Sequence, residues 1–112
     1  MVNTVNQLLA SGASAQKQGN FIEAEKLFKA VIRLRPDHSE ANYYLGVLAV
    51  DTKNIENALR YFQKALKKNN KIGKYWVSAI EVLIQLKRYA EAASLLQKGQ
   101  AIGLKGKKID RL

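Results

Sequence analysis

The chain contains no cysteine, which removes a disulfide framework, a thiolate zinc site and a cysteine nucleophile together. Histidine occurs once, as His38, so neither a histidine metal cluster nor a Ser–His pair can be assembled within one chain. Proline and tryptophan also occur once each, as Pro36 and Trp76. No apolar run approaches the roughly 18–20 residues needed to cross a bilayer. The opening stretch carries no positive charge and is broken by Asn3, Asn6 and Gln7, a poor secretory signal whose default is the cytoplasm. These gaps argue against an enzyme, a metal or cofactor protein and a membrane protein.

What remains is ordinary globular material: 112 residues with 47% apolar and 25% charged side chains, enough for a single domain over residues 1–112. The charge is lopsided, with 19 lysines and arginines against 9 acidic residues and a net charge of +10. Residues 71–112 hold nine basic and three acidic groups, whereas residues 37–70 hold five and four. The excess gathers at Lys64, Lys67, Lys68, Lys71 and Lys74 and at Lys105, Lys107, Lys108 and Arg111. Lysine predominates over arginine, and no ribonucleoprotein motif, zinc finger or basic zipper is present. These lysines read as solvated surface with a residual attraction for anionic partners, and nucleic-acid binding is disfavoured.

A fixed step organises the chain. Displacing it by 34 residues pairs Gly12 with Gly46, Ala24 with Ala58 and then Ala92, Phe28 with Phe62 and then Leu96. The same step pairs Ile32 with Leu66 and Ile55 with Tyr89. Turn signals recur in phase at Gly19-Asn20, Lys53-Asn54 and Lys87-Arg88. Three copies fit, over about 5–36, 39–70 and 73–104.

Inside each copy the apolar spacing is helical. Ile22, Leu27, Phe28, Val31, Ile32 and Leu34 form one stripe, answered by Ile55, Ala58, Leu59, Phe62, Ala65 and Leu66, and by Tyr89, Ala92, Ala93, Leu95 and Leu96. Pro36 ends the first pair of helices, Asp37 or Ser39 can cap the next, and Gly103 fits a left-handed C-terminal cap. No stretch alternates long enough to be a strand. The pattern predicts an all-α fold of six antiparallel helices of about 12–16 residues. Gly12 and Gly46 let paired helices approach closely, and Phe28 and Phe62 fill the space beside each crossing. A lone hairpin cannot bury its stripe, so stacked neighbours stabilise the array.

These residues resemble the tetratricopeptide repeat family, whose 34-residue pattern is aromatic-x2-Leu-Gly-x2-Tyr, then Ala-x3-Phe, then Ala and Pro. The second copy carries Leu45-Gly46, Ala58, Phe62 and Ala65; the first carries Gly12, Ala24, Phe28 and Pro36. The third keeps Tyr89 and Ala92, but has Ile80 where the small residue is expected and Leu104 in place of proline. The resemblance implies an α-solenoid of three antiparallel helix-turn-helix hairpins wound as a right-handed superhelix, with 105–112 starting a short C-terminal capping segment or tail. An incomplete cap would leave an apolar end, covered by a partner or by a continuation of the chain. Asn42–Val50 and Ile102–Gly106 also look like amino-terminal repeat modules of large bacterial glycosyl-, sulfo- and methyltransferases.

The resemblance further implies a non-catalytic protein-interaction module whose first helices line a concave groove for a partner's peptide or helix. Leu9, Ala13 and Lys17 project there from the first copy, Tyr43, Tyr44 and Val47 from the second, and Lys74, Val77, Ser78 and Glu81 from the third. Adjacent residues on a helix lie about 100° apart, so Tyr43 and Tyr44 cannot both enter one core. Either one ring faces the groove or solvent, or both pad the junction between hairpins. The co-chaperone members grip a terminal carboxylate with lysines, asparagines and an arginine. Those positions fall on Leu9, Ala13, Tyr44, Lys74 and Ser78, of which Lys74 alone matches, so no carboxylate clamp is expected. A mixed apolar and aromatic groove suits an amphipathic helix or an extended apolar segment.

Other residues read more plainly. Trp76 is a packing residue between hairpins or, alternatively, an exposed binding residue, and His38 is a surface turn residue. Gly99, Gly103 and Gly106 lack the spacing of a phosphate loop and read as helix-ending glycines. Glu23, Glu25, Glu56 and Glu91 fall on helix starts and outward faces, and spacing supplies no acid–base pairing for Glu40, Glu81 or Asp51. No catalytic residue, metal or cofactor is assigned. Self-association through the groove or the uncapped end is the structural alternative.

Overall fold

A computed structural model describes residues 4–103 of the chain. Six helices follow one another: α1 (Thr4–Lys17), α2 (Phe21–Leu34), α3 (Ser39–Asp51), α4 (Ile55–Lys68), α5 (Gly73–Gln85) and α6 (Tyr89–Ala101). Each is 13 or 14 residues long, within the expected range, and no strand occurs among the described residues. They pair as α1–α2, α3–α4 and α5–α6, and successive pairs stack through α2–α3 and α4–α5, as a solenoid requires. The body measures 42 × 30 × 23 Å. The expected capping segment at 105–112, with Gly106 and Leu104, lies outside the described residues.

The 34-residue step is visible in the turns. Gly19, Lys53 and Lys87 occupy equivalent places between the helices of each pair, and all three have left-handed backbones with φ of 78°, 64° and 62°. Glycine adopts this conformation freely, whereas a lysine there is strained by its Cβ. Between pairs, α2 ends at Leu34, where Pro36 forbids continuation and Arg35 is extended with φ −141°.

Two features correct expectation at the next start. His38, rather than Asp37 or Ser39, is the N-cap of α3, and its Nδ1 accepts a hydrogen bond from the Ala41 amide at 3.2 Å. Asp37 instead meets Lys68 Nζ at 3.1 Å, linking the α2–α3 loop to the end of α4. Gly103 does take a left-handed φ of 84° after α6, but Gly99 is buried inside that helix rather than ending it.

Packing follows the glycines. A Cβ built on Gly12 would stand 2.5 Å from Phe28 Cε1, and one on Gly46 would collide with the Phe62 ring in the same way. The two phenylalanines are completely or almost completely buried, so the helix axes of both pairs are drawn together over an aromatic ring. In the third pair the equivalents are Ile80, also buried, and half-buried Leu96. Bulk has been added on the first helix while the second keeps a large side chain, and α5 and α6 pack less closely than the earlier pairs.

Each stacked pair is also tied to the loop before it. Buried Asn42 donates from Nδ2 to the carbonyls of Pro36 at 3.3 Å and His38 at 3.0 Å. Thirty-four residues on, Trp76 donates from its indole N–H to the Asn70 carbonyl at 2.8 Å. Unlike side chains thus satisfy equivalent carbonyls, at Pro36 and Asn70. Trp76 is buried against Val77, Leu66, Leu95 and Leu96, so it acts as a packing residue. No buried side-chain polar atom among the described residues lacks a partner.

Candidate partner-binding groove

The three hairpins are joined by a run of aromatic rings. Tyr44 of α3 stacks on Phe28 of α2, with centroids 5.1 Å apart and planes at 6°. Tyr43, one residue earlier, tilts against Tyr44 at 5.8 Å, Phe62 at 5.7 Å and Tyr75 of α5 at 5.0 Å. These offset and tilted contacts are the favourable geometries for rings with negative faces and positive edges. Lys74 Nζ lies 4.9 Å from the Tyr43 centroid, placing a cation over that ring.

Tyr43 and Tyr44 pack among neighbouring rings and also reach open space. Each ring pads a junction with one face and remains half-buried, and together they border an open concavity of about 670 Å3 between α1 and α3. Ala13, Lys17 and Val47 line the same space, joined by Ser14 and Gln16. Gln16 Nε2 reaches toward Asp51 at 3.5 Å across the two helices. The floor is aromatic and aliphatic, and Lys17 supplies a positive edge.

The other projected residues take different places. Leu9 is buried in the core of the first pair, and Val77 is buried beside Trp76; both positions are corrected from groove lining to packing. The register explains this: Leu9, Tyr43 and Val77 are equivalent, and only the long tyrosine reaches from that position to the concave side. Lys74 and Glu81 are exposed and Ser78 is half-buried, but none of the three borders the 670 Å3 space. Tyr75 joins the aromatic run without having been projected. Its equivalent is Ala41, so the 34-residue comparison contains no signal for a ring there.

Burial raises the Tyr44 hydroxyl pKa above its ordinary value, and the Glu40 charge adds to the effect. Burial likewise raises that of Tyr75, with a Ser39 hydrogen bond opposing it. Both phenols are therefore neutral donors at physiological pH. Among the described residues no group of acidic and histidine side chains is arranged to hold a metal, and no helix is long and apolar enough to cross a membrane.

Comparison with known proteins places this geometry. The tetratricopeptide repeat profile matches residues 9–71 and again 49–103, so the chain belongs to that family. No curated protein matches it in sequence. Among solved structures it is similar to the Pseudomonas aeruginosa protein PilF, at 20% identity and a TM-score of 0.79 over 94% of this chain and 48% of that one. It is similar to an O-GlcNAc transferase of Thermobaculum terrenum, at 22% identity and a TM-score of 0.79 over 92% of this chain and 21% of the transferase. It is also similar to the type III secretion translocator chaperone SycD of Yersinia enterocolitica, at 22% identity and 0.83, covering 99% of this chain and 84% of the chaperone. The chain thus spans less than half of PilF and about a fifth of the transferase. At these identities the likeness is one of fold.

Proposed function

We propose that this chain is a non-catalytic interaction module that holds a protein segment in the concave face between α1 and α3. The observation that supports this is the half-buried Tyr43–Tyr44 pair bordering an open space with Ala13, Lys17 and Val47. Such rings offer large contact area at small entropic cost, together with a hydroxyl for orientation. The occupant is an amphipathic helix or extended segment whose apolar residues meet Val47 and the rings, with an acidic neighbour beside Lys17. Only Lys74 matches the co-chaperone clamp, and it lies over Tyr43, so a terminal carboxylate is not the ligand. SycD, described as a translocator chaperone, lends analogy from a protein of the same fold.

The test is selection of binders from a displayed library of twelve-residue peptides, followed by affinity measurement on variants. Ala13→Glu with Val47→Glu, both at half-buried positions on the open side, should weaken the selected peptides at least tenfold while helical content holds. Tyr43→Ala with Tyr44→Ala should weaken them further. Unchanged affinity in both variants rejects the groove.

Self-association is the second reading, favoured by the exposed Ile84, Tyr89 and Ile102 at the last hairpin. Sedimentation at several concentrations separates the two, since a strictly monomeric chain rules out self-association.

A further inference from the structure

A second concavity lies where the third hairpin meets α4, and it shares no lining residue with the space bordered by Tyr43 and Tyr44. It lies between α4, α5 and α6 and has a volume of about 430 Å3. Leu66, Trp76, Leu83 and Leu95 make its apolar lining. One repeat earlier, the place of Leu95 is taken by Tyr61, which packs against both large core clusters. A smaller space of about 260 Å3 lies there, bordered by Ala49, Asn57 and Tyr61 in the places of Leu83, Glu91 and Leu95.

The rim of this cleft is basic. Lys67 borders it from α4 and Lys98 from α6, and neither makes an ion pair among the described residues. Lys64 and Lys71 follow the same exposed stretch of chain. The one acidic lining residue, Glu91, is held by Arg88 at 2.7 Å, so its charge is already answered. The floor is prearranged, because the Trp76 indole is fixed by its hydrogen bond to the Asn70 carbonyl. An apolar slot between unpaired ammonium groups complements a ligand with a bulky apolar side chain flanked by carboxylates.

We infer that the cleft between α4, α5 and α6 is a second docking site, for an acidic peptide segment that inserts an aromatic or branched apolar side chain between Lys67 and Lys98. It is separate from the concave groove and stands whether or not that groove binds a partner. Carboxylates on the segment meet the two ammonium groups while its apolar residue covers Leu66, Leu95 and the edge of Trp76.

Trp76 is the only tryptophan, so its emission reports on the cleft directly. The probe is a tryptophan-free twelve-residue peptide of glutamates around one phenylalanine and two leucines, titrated at physiological salt. Binding should shift or quench Trp76 emission, and Lys67→Glu with Lys98→Glu should weaken it at least tenfold. Leu95→Tyr, which adds a ring to the lining, should narrow the cleft and weaken binding at least tenfold with helicity retained. Ala13→Glu, which alters the space between α1 and α3 without removing a ring of the aromatic run, should leave this affinity unchanged, which separates failure here from failure of the concave groove. The proposal is overturned if emission does not respond, if the lysine reversals have no effect, or if a single-stranded oligonucleotide of equal charge gives the same response. It is overturned equally if sedimentation shows a second copy of the chain occupying the cleft.

Discussion

The first two hairpins and the third solve one packing problem in different ways. In the first two, glycine on the leading helix lets the partner come close, and a phenylalanine fills the crossing. In the third, Ile80 occupies the leading helix and Leu96 the partner. Ile80 adds bulk where the earlier pairs have none, Leu96 keeps most of the bulk on the partner, and the helices cannot approach so nearly. A side chain on the leading helix at the crossing therefore limits how closely the pair can approach. At the surface an aromatic run crosses the close pairs to Tyr75, and a cleft opens where the loose pair meets α4.

The contrast is most severely broken at Ile80. Ile80→Gly removes a buried side chain and puts glycine mid-helix without a phenylalanine to fill the gap, and should cost about 3–5 kcal/mol by chemical denaturation. Recovery of wild-type stability would show that the third pair can close as the others do. Next in size is Gly46→Ala. Alanine usually favours a helix interior by about 1 kcal/mol over glycine, but here its methyl meets the Phe62 ring, and a loss of about 1–3 kcal/mol is expected. Gly73→Ala, at a site with nothing within 4 Å of the added carbon, should be neutral or slightly stabilising under the same measurement.

Smaller effects sit in the turns. Lys53→Gly and Lys87→Gly relieve left-handed lysines and should each raise stability by about 1 kcal/mol. A decrease would mean that these lysines contribute more through contact than they lose in strain. The smallest effects are those of pH. The Lys68 ammonium lowers the Asp37 carboxyl pKa below its ordinary value, so the folded state favours the ionised form. This contribution is present above the unfolded carboxyl pKa and fades as pH falls through the lowered value. Lys68→Ala should flatten the acid limb of a stability profile. At the other end Tyr44 and Tyr75 have raised values, so their contribution is complete below about pH 10 and is lost as pH climbs through the folded-state values.

Much of the architecture was legible because a repeat writes the same constraint several times. Gly12 and Gly46, Phe28 and Phe62, and the in-phase turns each appear at one offset, and the six helices fall where these marks place them. What escaped depends on a single copy. His38 caps α3 although Asp and Ser are the commoner caps, because the backbone after Pro36 brings its ring, and not its neighbours' side chains, to the Ala41 amide. Gly99 lies within a helix that its composition alone would have ended. Ala13, Lys17, Tyr43, Tyr44 and Val47 share one open space, whereas Leu9 and Val77, which the family resemblance places beside them, are buried. Equivalence fixes the backbone position, but side-chain length decides which surface is reached. The cleft between α4, α5 and α6 has a smaller counterpart one repeat earlier, and its size depends on side chains that differ between the copies, such as Trp76 in the place of Asn42.

The most direct test of the close-crossing account is a double-mutant cycle at Gly46 and Phe62, read by equilibrium unfolding. If the added methyl is costly because it strikes the phenylalanine ring, Phe62→Leu should relieve Gly46→Ala, with a coupling of about 1–3 kcal/mol between the two changes. Strict additivity, with Gly46→Ala equally harmful beside leucine, would mean that the glycine is needed for some other reason and that the hairpins are not set by this contact.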